Sequence, residues 1–151
     1  MKMGLVGQKL GMTRVFHGDG ELQEGQIWEA AMYAGGKGVD NLIATVDYNH
    51  KQIDGPTDAV MPLGNLRAKW EAFGWQVIDI EKGNDIASIL KGLADAKALT
   101  GKGKPVCILL HTEMGNGIDF MMGTHAWHGK APNDEQLAKG LAQNPETLGD
   151  Y

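Results

Sequence analysis

Two short apolar runs constrain the fold of this chain more than anything else in it. They are Asn41-Leu42-Ile43-Ala44-Thr45-Val46-Asp47-Tyr48 and Pro105-Val106-Cys107-Ile108-Leu109-Leu110-His111-Thr112. The first is the clearest strand in the sequence. The second, bounded by glycine, lysine and proline, has the form of a strand covered on both faces. Apolar runs alternate with helical patterns from Thr13 onward, as in βα units that feed a mainly parallel sheet.

The remaining elements follow from the same periodicity. Residues 13–17 read as a short strand leading into a glycine turn. Residues 21–34 read as a helix, with Ile27, Ala30, Ala31 and Ala34 on one face and two acids in the first turn. Gly35, Gly36 and Gly38 are expected to stop it. A polar loop with Gly55 and Pro56 follows the 41–48 strand. Residues 63–73 read as a helix ending at Gly74, and residues 75–81 as a third strand. Asn84 or Asp85 caps a helix running to about Leu99. Residues 115–132 form a glycine-rich connection too long for an ordinary turn, which makes it a functional-loop candidate. Residues 133–143 close the chain as a helix capped by Asn133 or Asp134. The fold class expected is α/β, a mainly parallel sheet flanked by helices.

At 151 residues the chain has room for one domain with a core, or a piece of one. Its 42% hydrophobic and 22% charged residues are those of a globular chain. The net charge of −5 opposes nucleic acid and acidic membranes as partners. Lys2, Lys9 and Arg14 give residues 1–17 a local +3, which leaves −8 for the rest. The single cysteine, Cys107, sits inside an apolar run and reads as a small buried hydrophobe, so a disulfide framework is excluded. With no apolar stretch of membrane-spanning length and no signal-peptide cleavage pattern, the expected location is cytoplasmic.

The chemistry-bearing residues gather at strand ends. Gly18-Asp19-Gly20 is either a plain turn or a place where a carboxylate ligates a cation while nearby amides hold an anion. Asn49, at the end of the second strand, is either a turn residue or a carboxamide ligand of Mg²⁺ or Ca²⁺ beside Asp19. Parallel sheets collect ligands at this edge. His125 and His128, three residues apart in Gly123-Thr124-His125-Ala126-Trp127-His128-Gly129, lack the further ligands of a structural zinc site. Met121 and Met122 read as gap-fillers, and Trp28, Trp70, Trp75 and Trp127 as core or interface residues.

Several of these segments together resemble transketolase in its thiamine diphosphate-binding half. They are Glu21-Leu22-Gln23-Glu24-Gly25-Gln26-Ile27-Trp28-Glu29-Ala30, the Asn41-to-Asn49 strand, Gln52-Ile53-Asp54-Gly55 and the 123–129 histidine loop. The resemblance runs over residues 18–151 and implies part of a thiamine diphosphate-binding fold. It implies Asp19 and Asn49 as metal ligands, with the backbone carbonyl of Lys51, and Gly18 and Gly20 against the diphosphate. It implies His128 as a diphosphate contact that also handles a proton near substrate, with His125 packing the loop, and Glu24 at an interface. His50 and Lys51 stand where small or apolar residues are common in the family. The activity implied is two-carbon ketol transfer between sugar phosphates; the alternatives are a non-catalytic fragment or fusion remnant, or part of another thiamine diphosphate enzyme. Ketol transfer requires a pyrimidine-binding partner subunit or domain within a homo- or hetero-oligomer, and the chain alone is expected to be inactive.

Residues 1–17 are different. Met3-Gly4-Leu5-Val6-Gly7-Gln8-Lys9-Leu10-Gly11-Met12-Thr13-Arg14-Val15-Phe16 resembles the opening of the third large-subunit ribosomal protein. The expectation is a foreign-looking leader joined near His17. A ribosomal role does not follow, because the basic segment is short and the remaining −8 opposes phosphate binding. Tyr151 resembles the natural end of the shorter subunit of a split transketolase.

Overall fold

The computed structural model describes residues 13–144. Residues 1–12 of the leader, and Tyr151, lie outside them. In chain order the elements are β1 (Thr13–Gly18), a 3-10 turn (Gly20–Gln23), α1 (Gly25–Lys37), β2 (Leu42–Tyr48), β3 (Lys51–Gln52) and β4 (Gly55–Pro56). They continue with α2 (Thr57–Val60), α3 (Leu66–Ala72), β5 (Gln76–Ile80), α4 (Ile86–Leu99), β6 (Val106–His111) and α5 (Asp134–Gln143).

Four strands form one sheet in the order β1-β2-β6-β5, and every pairing in it is parallel. The α/β architecture expected from the sequence is therefore the observed one. β2 and β6 are the two central strands and are the two apolar runs of the sequence, buried over most of their length. Their alternate side chains feed two cores. Ala44, Val46, Cys107 and Leu109 pack with Ala31 and Ala34 of α1 and with Leu66 and Trp70 of α3 on one face. Ile43, Val106 and Ile108 pack with Ala96 of α4 and Ile80 of β5 on the other. Mainly apolar central strands follow from this arrangement, because both faces are covered along their buried stretches.

β1 runs unbroken through residue 17, the position of the expected junction, and ends at Gly18. It pairs with β2 from Thr13 opposite Leu42 to Gly18 opposite Asp47.

The first helix departs from expectation at both ends. It begins at Gly25, after a separate 3-10 turn, because Glu24 takes an extended conformation. At the other end Gly35 and Gly36 do not stop it; Gly38 does, in the left-handed conformation that glycine adopts without strain. Gly35 serves packing instead, since a Cβ there would overlap the carbonyl oxygen of Phe73. The helix thus lies directly against the end of α3.

Trp75 precedes its strand rather than opening it, and its indole N–H donates to the Ala31 carbonyl at 2.8 Å. Trp70 and Trp75 are core residues, 2% and 4% exposed, as expected. Helix α3 starts at Leu66, where Asn65 accepts from the Ala68 N–H. Asp85 caps α4 through the Ser88 N–H, and Asn133 caps α5 in a reciprocal box with Gln136. The polar loop after β2 contains structure that the sequence does not announce, the β3–β4 hairpin and the short α2.

Candidate functional site at the carboxyl edge of the sheet

The parallel sheet sends the ends of β1 and β2 to the same edge, and the loops that leave them build a cleft of about 490 Å³. Gly18, Gly20, Glu24, Asn49, Lys51 and His128 all line it. Six of the seven residues expected to form the site therefore face one space, although they come from three separate stretches of chain. The seventh, Asp19, lies directly beneath, with no exposed surface.

Asp19 is held by both strands. Its N–H donates to the Asp47 carbonyl at 3.0 Å, and its Oδ2 accepts the His50 N–H at 2.6 Å. Its other oxygen, Oδ1, is buried without a hydrogen-bond partner among the described residues. Burial raises its pKa from 3.8 to about 6, against the lowering effect of the His50 bond, and the charge of Asp47 adds to the rise. A buried carboxylate oxygen without a protein partner is one that a proton or a cation could satisfy.

His50 makes that bond possible by its backbone. It is the non-glycine residue with positive φ among those described, at 59°, and this left-handed step turns its N–H toward Asp19. The Thr57 N–H then donates to the His50 carbonyl at 3.1 Å, and the His50 ring packs 4.1 Å from Tyr48. The next N–H, that of Lys51, donates to Asn49 Oδ1 at 2.8 Å, while Asn49 Nδ2 donates to Asp47 Oδ2 at 3.2 Å.

Close approach requires glycine at position 20, whereas at position 18 a Cβ would meet only the flexible end of the Glu21 side chain. A Cβ on Gly18 would overlap Glu21 Oε2, and one on Gly20 would sit 2.8 Å from Gln52 Cβ. The same Gly20 position lies 3.8 Å from the Lys51 carbonyl oxygen, which therefore faces this side of the cleft.

His128 arrives from the long glycine-rich connection, which carries no helix or strand between β6 and α5. The connection is nonetheless fixed. The Gly123 N–H donates to Glu113 Oε1 at 2.7 Å, and the Trp127 indole donates to the Phe120 carbonyl at 2.8 Å, its ring edge-on to Phe120. Gln143 of α5 bonds both the N–H and the carboxylate of Asp119. His125 does not line the cleft; its carbonyl accepts the His128 N–H at 2.9 Å.

Glu21, Asp47, Gln52 and Ile53 also line the cleft, and none of them is among the site residues expected from the sequence. Asp47 carries a legible signal, because residues two apart on a strand share a face and Asn49 is two residues on. Gln52 and Ile53 reach the cleft only because the β3–β4 hairpin folds back, and no periodicity marks that hairpin.

The site contains hard oxygen donors of three kinds: a carboxylate, a carboxamide and a main-chain carbonyl. No group of three His, Cys, Asp or Glu side chains able to hold a metal exists among the described residues. Among the expected ligands Asp19 brings one formal negative charge beside the neutral oxygens of Asn49 and Lys51, and the acidic residues Glu21, Glu24 and Asp47 also line the cleft.

Comparison with known proteins agrees with the fold. The family model for the transketolase thiamine diphosphate-binding domain matches residues 9–145. A 6-deoxy-6-sulfo-D-fructose transketolase subunit of Clostridium sp. strain MSTE9 is 46% identical over 126 residues, 83% of this chain and 45% of the relative. Transketolase 1 of Saccharomyces cerevisiae is 41% identical over 138 residues, 89% of this chain and 20% of that protein. The crystal structure of transketolase from Campylobacter jejuni superposes with a TM-score of 0.79 at 32% identity, covering 89% of this chain and 21% of that one. The chain spans less than half the length of each of these relatives. By the family match and by these identities, the chain belongs to the transketolase family, in its thiamine diphosphate-binding domain.

Proposed function

We propose that this chain is the metal- and diphosphate-holding part of a transketolase that moves a two-carbon ketol unit between sugar phosphates. The observation that carries the reading is the buried Asp19, with one oxygen unpaired, beneath a cleft lined by Gly18, Gly20, Asn49, Lys51 and His128. Asp19, Asn49 and the Lys51 carbonyl would hold Mg²⁺ or Ca²⁺, and the two glycines would admit the diphosphate close to the backbone. When bound, thiamine diphosphate supplies the nucleophilic carbon for ketol transfer, and the protein supplies orientation. His128, which lines the cleft, would contact the diphosphate and handle a proton near the substrate.

A pyrimidine-binding subunit or domain completes the enzyme, and Glu24, at the start of α1 on the rim of the cleft, belongs to that interface. Relatives whose names describe them as transketolase subunits, the Clostridium protein among them, support a partner on a separate chain. On this reading the chain binds cofactor and shows no ketol transfer without the partner. A cytoplasmic location is part of the same proposal and rests on the buried, unpaired Cys107.

The donor set makes a specific demand on the ligand. With a single carboxylate among the proposed ligands, the protein would hold the cation weakly unless diphosphate oxygens completed the shell. Equilibrium dialysis of the chain against thiamine diphosphate and against thiamine, each with Mg²⁺ or with chelator, tests this. Retention of thiamine diphosphate only when Mg²⁺ is present is the expected result. Equal retention of thiamine, or indifference to the chelator, would remove the metal-diphosphate reading.

A further inference from the structure

A carboxamide has two nearly isosteric ends, one that accepts and one that donates, and only the oxygen can ligate a cation. An asparagine ligand must therefore be told which way to face. Asn49 is pinned at both ends here. Its Nδ2 donates to Asp47 Oδ2 at 3.2 Å, and its Oδ1 accepts the Lys51 N–H at 2.8 Å. A flipped amide would set its oxygen against an acceptor-only carboxylate and its NH₂ against a donor.

Asp47 is itself held in place. Thr112, just past β6, donates its hydroxyl to Asp47 Oδ1. The Thr112 N–H donates to the Tyr48 carbonyl at 3.4 Å, so this residue is tied to the end of β2 by main chain as well. Both Asp47 oxygens are thus engaged, one by Thr112 and one by Asn49. Asp47 and Asn49 also form the wall between the main cleft and a neighbouring one of about 430 Å³, which Thr112, Asn84 and Glu113 line from the far side. The tether thus runs from Thr112 through Asp47, which lines both clefts, to the donor end of the Asn49 carboxamide.

We propose that Asp47 and Thr112 are positioning residues of the metal-diphosphate site, fixing the Asn49 carboxamide with its oxygen toward the cleft. This role rests on the cofactor reading of the cleft. It adds a link from the residue after β6, through Asp47 of β2, to Asn49 beyond the end of β2 that no resemblance supplies.

Three variants of the full chain test it: Thr112→Val, which keeps the shape and removes the donor, Thr112→Ser, which keeps the donor, and Asp47→Ala. Mg²⁺ is titrated by calorimetry at fixed thiamine diphosphate, and the ligand-free melting temperature is recorded beside it. Loss of an outer partner of a metal ligand typically weakens metal binding about 10–100-fold. Thr112→Val should raise the Mg²⁺ midpoint about 10-fold with an unchanged melting temperature, Asp47→Ala should raise it further, and Thr112→Ser should restore it. The Thr112 pair carries the test even where Asp47→Ala folds poorly. Wild-type midpoints in Thr112→Val, or equal weakening in Thr112→Val and Thr112→Ser, overturn the positioning role and leave the cofactor site standing. A wild-type chain with no Mg²⁺-dependent binding overturns both.

Discussion

Asp19 costs the metal-free protein stability in order to be available. Its pKa is raised from 3.8 to about 6, chiefly by burial, so between those values the folded state binds a proton that the unfolded state releases. Stability therefore falls as pH rises through that window, and the penalty is complete above about pH 6. A shift of this size corresponds to a cost on the order of 3 kcal/mol. Asp19→Asn removes the charge, keeps an acceptor for the His50 N–H, and leaves an unpaired amide costing about 1–2 kcal/mol. The variant treated with chelator should thus be more stable than wild type by about 1–2 kcal/mol near neutral pH. In urea melts the advantage should vanish and reverse in acid, below the unfolded pKa. A constant difference at all pH values would show that the carboxylate is not ionised against its surroundings. His50 adds a second local cost, a left-handed backbone on a side chain with a Cβ, which the sequence does not reveal. Its bond to Asp19 spans 31 residues, and that separation is why residue-by-residue reading finds there only a departure from the family pattern.

At the scale of elements, strands and caps are legible in the sequence and breaks are not. β2 and β6 announce themselves because burial on both faces demands mainly apolar runs, and Asp85 and Asn133 because helix starts need acceptors. Gly35 and Gly36 look like a stop because local propensity disfavours glycine in a helix. Tertiary packing overrides that preference, since α1 can approach Phe73 only where no Cβ intervenes. The two effects oppose each other in Gly35→Ala. Propensity alone would stabilise by about 1 kcal/mol. Overlap with the Phe73 carbonyl should win, costing about 1–3 kcal/mol as the helix shifts. Gly36→Ala, with nothing within 4 Å of its Cβ, should instead stabilise by about 1 kcal/mol. Urea denaturation of the pair separates the two, and equal behaviour would contradict the packing role of Gly35. The β3–β4 hairpin is hidden for a related reason: two-residue strands carry no periodicity.

For the whole molecule, the parallel sheet explains why the cleft exists. Parallel pairing brings Gly18 beside Asp47, so the turn after β1 and the turn after β2 must meet at one edge. Residues at the strand ends are therefore readable from sequence, while Glu21, Gln52 and Ile53 depend on how the loops return. Cys107 reports on the integrity of this scaffold. It is fully buried in β6 between β2 and β5, and burial pushes its thiol pKa up. A thiol reagent should leave the native protein unmodified and react once in denaturant. Reaction of the native protein would mean that the central strands open. The function proposed for the chain depends on cofactor binding at the edge these strands build. Its most direct test is calorimetry of the chain with thiamine diphosphate and Mg²⁺, repeated on Asp19→Ala and Asn49→Ala. Mg²⁺-dependent heat in the wild type that is lost in both variants is the predicted result, and equal heats in all three proteins would contradict it.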